Sequence, residues 1–214
     1  MGKVERSTSG TSGMRAALVA LGLGMGAALP VVATLLAPLP AVAQQFPAFR
    51  QALAEGVAEN RALATFYREN GYRAVWTEAG DAARRTALVS ALSRAAEHGL
   101  PAARYDLPGL LAAFEAVETE RDRGFVEARA SLTFLQYARD IHSGVLEPHQ
   151  IIPDIVRELP RPDPAQLMRD FVAGEPVSFM RNLAPSSPEY ARLYRARQEL
   201  VAAINAGAGA RYYF

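Results

Sequence analysis

Hydrophobic and polar residues alternate along this chain mostly with the period of a helix. Within residues 49–70, Phe49, Leu53 and Val57, then Leu63, Phe66 and Tyr67, recur at spacings of three and four, with Gly56 as a candidate break. Leu88, Ala91, Leu92 and Ala95 share the face of a second helix, with Asp81 as its expected N-cap and Gly99 and Pro101 as its end. A third helix is predicted over 107–117 and a central one from about 125 to 143. On a 100° wheel, Ala128, Leu132, Phe134, Leu135, Ala138 and Ile141 fill about half the circumference of that central helix. His142 falls in the same arc, whereas Thr133, Gln136 and Asp140 face the other way. Gly144 stands where a left-handed cap is wanted, and Pro148 forbids continuation.

The remaining stretches break this period. Asn70-Gly71 is a turn signal, and residues 72–77 have the composition of a short strand. One short strand cannot stand alone, so it should pair with another extended piece or pack as an irregular segment. Residues 115–123, EAVETERDR, read as a solvated charge run at a helix end or in a loop. Pro148, Pro153, Pro160, Pro162 and Pro164 predict a packed connector in which residues 154–158 make at most one helical turn. Short helices are expected over 164–173, closed by Gly174, and over 177–183. Ser187 as N-cap and Pro188 in the first turn start a last helix, with Tyr190, Leu193, Tyr194, Val201 and Ile204 on its apolar side. The expected fold is mainly α. It is a single multi-helix domain over residues 44–205, with at most a short β segment near 72–77 and a flexible tail at 206–214.

The amino-terminal 43 residues read as an export segment. The run from Ala16 to Ala43 carries no charge and ends in Ala41-Val42-Ala43, a small-x-small cleavage pattern. A retained membrane anchor is the alternative, although Pro30, Pro38 and Pro40 weaken the end of a continuous span. Gly22, Gly24 and Gly26 lie inside this apolar run and are not a dinucleotide loop. Either reading places the folded part outside the cytoplasm, in the periplasm, with membrane contact only through an uncleaved N-terminal segment. The chain contains no cysteine, so its core rather than disulfides must hold it together there. Loss of Lys3, Arg6, Arg15 and Glu5 with the leader would turn the net charge from +1 to about −1. That balance gives no indication of nucleic-acid binding. Lys3 is the only lysine, so the remainder has no amine for a Schiff base or a Ser-x-x-Lys mechanism.

Few residues suggest chemistry. His142 is expected as a buried neutral imidazole, His98 as a cation in a helix's last turn, and His149 as a solvated connector residue. No His-x-x-x-His or His-x-x-Glu-His spacing and no Gly-x-Ser-x-Gly elbow occurs, and Ser143 beside His142 points away from it on a helix. Glycan cleavage would need two carboxylates about 5–10 Å apart, and no pair stands out. Tyr72 and Trp76 suit a sugar-stacking platform, but core anchoring is the expected role. Arg139 is the expected partner of a buried acid, with Asp140 or Glu97 as candidates. No catalytic, metal-binding or cofactor-binding residue is assigned, and no cofactor is expected.

Four blocks in order carry a resemblance. They are Phe66-Tyr67 with Asn70-Gly71-Tyr72-Arg73 and Val75-Trp76-Thr77; the run Ala95 to Leu100 with Tyr105 and Leu107; Ala138-Arg139-Asp140 with Ser143-Gly144 and Pro148; and Pro185, Tyr190 and Leu193. Together they span about residues 60–197. The sequence resembles the scaffold domain of large bacterial L,D-transpeptidases, the cysteine enzymes that cross-link peptidoglycan. The resemblance implies a helical support for cell-wall cross-linking, with peptidoglycan or a catalytic L,D-transpeptidase module as partner. Those enzymes attack with a thiolate on a downstream module. This chain has no cysteine and stops at Phe214, so it is expected to be a truncated, non-catalytic scaffold. A stand-alone periplasmic peptidoglycan-binding or interaction protein is the alternative, and a two-carboxylate glycan-cleaving enzyme a more distant one.

Overall fold

The computed structural model describes residues 47–146 and 162–207. The leader or anchor at 1–43, most of the proline-rich connector with His149, and residues 208–214 of the tail lie outside the described residues. So does the turn expected at 154–158.

The fold is helical, a single domain as its periodicity predicts, and the described residues contain no strand. Its helices are α1 (Ala48–Gly56), α2 (Arg61–Glu69), α3 (Ala82–Ser93), α4 (Leu107–Glu115), α5 (Glu120–Ser143), α6 (Pro164–Ala173), α7 (Pro176–Asn182) and α8 (Pro188–Asn205). Short 3-10 turns at Ala79–Asp81, Ala95–His98 and Ala102–Tyr105 join several of them. The chain does break at Gly56, and Asn60 restarts it as N-cap, its Oδ1 accepting from the Leu63 N–H.

α5 is the axis. It begins five residues before the expected start because Thr119 and Asp122 form a capping box, each side chain accepting from the other's backbone N–H. The charge run therefore ends inside this helix, where Glu120 and Asp122 lie in the first turn and favour the helix dipole. α1 lies along the N-terminal half of α5, α4 and α6 also touch α5, α2 packs on α6 and α3 on α7. Trp76, Tyr67, Phe134, Phe171, Leu53, Leu63, Leu88, Leu92, Leu110 and Met168 form the fully buried centre. Trp76 stacks on Phe171 with ring centroids 5.1 Å apart, and Phe134 stands 4.7 Å from Phe171.

Residues 72–77 are an irregular segment and not a strand. Asn70-Gly71 does turn, with Gly71 at φ 66° and Tyr72 at φ 57°, and the Tyr72 N–H is donated back to the Tyr67 carbonyl at 2.7 Å. The backbone donors that a sheet would have used are taken by one carboxylate. Glu127 of α5, whose side chain is fully buried, accepts from the N–H of Val75 at 2.6 Å, of Trp76 at 3.2 Å and of Thr77 at 3.1 Å. It also accepts from the Thr77 hydroxyl and the Tyr67 hydroxyl, both at 2.8 Å. On the other side, Arg85 donates to the carbonyls of Trp76 and Glu78 at 2.6 and 2.8 Å. The segment is thus hydrogen-bonded without a partner strand.

Other expectations change with the three-dimensional context. Asp140, assigned to the polar half of the helix, is buried, while His142 and Leu132 of the apolar arc are exposed. Asp81 does not cap α3 with its side chain. It accepts instead from the Glu78 N–H and pairs with Arg84. Gly99 takes the left-handed conformation that ends the 95–98 turn, whereas Gly144 has φ 82° and ψ 168°, a region only glycine visits readily. The apolar side of α8 is largely uncovered: Leu193 is 71% exposed and Ile204 56%.

Two stability predictions follow from this packing. Gly124 lets α1 approach α5 so closely that an added Cβ would stand 2.5 Å from the Phe49 carbonyl oxygen and 2.8 Å from Ala52 Cβ. Gly124→Ala is expected to lower stability by about 1–3 kcal/mol through overpacking, despite alanine's better helix propensity. A chemical denaturation midpoint at or above wild type would refute that. Glu127→Gln places an amide donor against backbone N–H groups, and about 2 kcal/mol or more should be lost. For a domain of this size that is a fall of roughly 4–8 °C or more in a circular-dichroism melt, and an unchanged melting temperature would count against the hub.

Candidate functional site

A buried acid near the C-terminal end of α5 stands behind a groove in the surface of the domain. The Asp140 side chain is fully buried and receives four donated hydrogen bonds. Arg104 Nε and Tyr105 Oη reach its Oδ2 at 3.0 and 3.1 Å, while Arg139 Nε and Nη2 reach its Oδ1 at 3.1 and 3.0 Å. The expected partnership of Arg139 with a buried acid is present, and the acid is Asp140. Arg104, delivered by the 102–105 turn, went unnoticed in the sequence. Burial raises the Tyr105 phenol far above its ordinary range, and the neighbouring Asp140 carboxylate adds to this.

Both guanidiniums open onto a groove of about 660 Å³ between α5, α6 and the start of α2. Leu132, Leu135 and Leu167 give it apolar walls, and Asn60, Gln136 and Asp163 stand among its lining residues. This size lies within the range of small-ligand sites, roughly 300–1,000 Å³. Asp163 is committed to capping α6, accepting from the N–H groups of Ala165 and Gln166. With all four of its bonds received from neighbours, Asp140 is a positioning group and has no lone pair directed at a ligand.

The Glu127 hub is closed by contrast. Trp76 Nε1 donates to Ser131 Oγ at 2.8 Å, and Ser131 lies 2.6 Å from the Tyr67 hydroxyl. With the Tyr67 proton directed at Glu127, the Ser131 hydroxyl donates to Tyr67. Burial pushes the Glu127 carboxyl up, and the bonds from Val75, Tyr67, Thr77 and Trp76 pull it back. Trp76 is therefore a core anchor, and no sugar can stack on it.

His98 meets α8. Its Nδ1 lies 2.7 Å from the Tyr190 hydroxyl, and its ring stands 5.1 Å from that of Tyr194. Tyr194 donates to Glu97 at 2.8 Å, and Gln198 to the Glu97 carbonyl at 3.3 Å. Desolvation lowers the His98 pKa, with Arg94 and Arg197 acting in the same direction and Glu97 against them. The expected cationic cap is thus a half-buried imidazole that favours its neutral form. Ser143 donates to the Arg139 carbonyl one turn back, and His142 is exposed, so the two make no base–nucleophile pair. Among the described residues, no three His, Cys, Asp or Glu side chains converge as metal ligands. No described helix is long and apolar enough to cross a membrane.

A family model described as Scaffold domain matches residues 61–196, well over half of the chain. The chain belongs to the Scaffold domain family. No curated protein and no solved structure matches it. The family match opens at the first residue of α2 and runs into α8, so it takes in Tyr67, Trp76, Glu127, Asp140 and both groove arginines, and leaves α1 outside. Of these residues, Glu127 had a readable signal. With Ser131, Phe134, Ala138 and Ile141 it keeps the spacing of one helical stripe, a polar residue where an apolar one is the rule.

The lowered His98 pKa sets the sign of a pH effect on α8. A docked imidazole binds protons less readily than a free one, so its contribution is complete above about pH 6.5 and is lost as the pH falls below that value. Amide exchange in α8, corrected for intrinsic rate, should therefore be faster at pH 5 than at pH 7.5, while α5 stays protected. His98→Gln should abolish the difference. Equal protection of α8 at both pH values would dismiss the effect.

Proposed function

We propose that this chain is the scaffold part of an L,D-transpeptidase-type wall enzyme. It supports peptidoglycan cross-linking by presenting surface to a murein strand or to a catalytic module, and performs no bond chemistry itself. The observation that carries this reading is the coincidence of two spans. The four blocks that resemble those enzymes run over about 60–197, and the Scaffold domain match covers 61–196. The blocks also coincide with the framework: Tyr67 and Trp76 sit in the Glu127 hub, and Arg139, held by the buried Asp140, lines the groove. The chain has no cysteine to supply the thiolate of such an enzyme. An uncharged run from Ala16 ending in Ala41-Val42-Ala43 supports a periplasmic location.

A second reading, a stand-alone periplasmic interaction protein, is favoured by the uncovered side of α8. Leu193, Leu200 and Ile204 fall on one line of that helix and are all more than half exposed. It differs from the first reading in whether the partner module is covalently attached.

Incubation of the purified chain with peptidoglycan sacculi tests both. Retention of the chain in the sacculus pellet with no release of muropeptides is the expected result. Released muropeptides would overturn the non-catalytic reading. A chain that stays in the supernatant, alone and when mixed with a separately purified L,D-transpeptidase module, would remove the support for a wall function.

A further inference from the structure

We propose that the groove beside Asp140 binds the C-terminal carboxylate of a short peptide whose last residues are small and apolar, with Arg104 and Arg139 as the carboxylate clamp. This goes beyond a wall-scaffold role and is independent of it, since it rests on the groove alone.

The clamp follows from how the donors are used. Asp140 engages only the Nε of Arg104 and only the Nε and Nη2 of Arg139. Both terminal nitrogens of Arg104 and Nη1 of Arg139 have no partner among the described residues, and the two side chains are 37% and 46% exposed. A buried carboxylate thus holds two guanidiniums in fixed orientation with donors left over. Held in place beforehand, they lose little side-chain freedom when an anion arrives.

The charge balance selects a monoanion. Two arginine cations against one aspartate leave a single positive charge at this end of the groove. Asp163, the acid among the lining residues, accepts from the first N–H groups of α6 and stands 3.5 Å from Arg169, which it shares with Glu69. A carboxylate cancels the surplus, whereas a phosphate dianion would exceed it. The walls select the body. Leu132, Leu135, Pro164 and Leu167 offer apolar contact, and a groove of about 660 Å³ accommodates a few small residues. Asn60 accepts the Leu63 N–H through Oδ1 and keeps its amide N–H groups for a ligand. Gln136 has no side-chain partner among the described residues, so its amide can both donate to and accept from a peptide backbone.

Calorimetric titration of the full chain with tri-alanine, tri-alanine amide and inorganic phosphate tests this. Saturable binding of the free acid is expected, with the amide at least about tenfold weaker and phosphate not saturating at the same concentrations. Arg139→Gln should weaken the free acid roughly tenfold or more. Leu132→Glu, a change at a half-exposed wall position that does not touch Asp140, should do the same while leaving the circular-dichroism melt within a few degrees of wild type. If Arg139→Gln fails to fold, Leu132→Glu decides. Equal affinity for acid and amide, tighter binding of phosphate, indifference of the free acid to Leu132→Glu, or no binding of tri-alanine at about 10 mM would each overturn the proposal. A positive result with tri-alanine alongside failure to retain sacculi would leave the groove standing and remove the wall function.

Discussion

A single carboxylate, Glu127, determines how the 75–77 segment and Tyr67 of α2 meet the central helix. It gathers the N–H groups of Val75, Trp76 and Thr77 and two hydroxyls into one buried cluster. Burying an ionisable group beside Tyr67, Val75 and Trp76 carries a large desolvation penalty, and only a full set of donors offsets it. The arrangement is mutual. Without the carboxylate, three backbone donors beside the core would be orphaned; without the segment, the carboxylate would be buried alone. The direction in which Trp76 enters the core is fixed by this exchange, so the stacking on Phe171 depends on it.

Asp140 repeats the device four turns further along α5, with one difference. Beside the buried Tyr105 hydroxyl, its donors are two arginines that continue to the surface, and the buried charge therefore shapes something outside the core. Both acids lie on α5, one aimed at the 75–77 segment and the other at the 102–105 turn. Two connections without regular structure are in this way fastened to the longest helix. A domain that must keep a constant shape for a partner gains more from such directional ties than from extra apolar area, which would tolerate sliding.

Helix positions were readable because apolar periodicity and end signals act locally. Gly99 and Ser187, read as end signals, act within a turn or two of their own place in the chain; Asn60, Asp163 and the Thr119–Asp122 box are equally local but went unread. What could not be read was any group whose partner lies far off in sequence. The strand-like composition of 72–77 gave no sign of a carboxylate some fifty residues away. Asp140 falls on the polar side of an isolated wheel, and Arg104 and Tyr105, together with its neighbour Arg139, make its burial tolerable. The wheel likewise placed His142 in the apolar arc, and the apolar side of α8 stays exposed at Leu193 and Ile204, since a periodicity has no knowledge of which helix face acquires a neighbour. The groove was invisible for the same reason: Asn60, Arg104, Arg139 and Leu167 share no local pattern.

The two ends of the domain are consequently held in different ways. Around α5, apolar packing and saturated buried acids act together, and loss of either exposes the other. α8 buries no residue fully, and its named ties to the body are polar: Tyr190 to His98, and Tyr194 and Gln198 to Glu97. Such contacts exchange readily with water and depend on the charge of a half-buried imidazole, so α8 belongs to the least stable part of the molecule. This 18-residue helix is attached through Tyr190, Tyr194, Arg197 and Gln198, with Leu193 and Leu200 turned outward. The body around α5 carries the groove on packed side chains and saturated buried acids, while α8 rests on it through exchangeable ties.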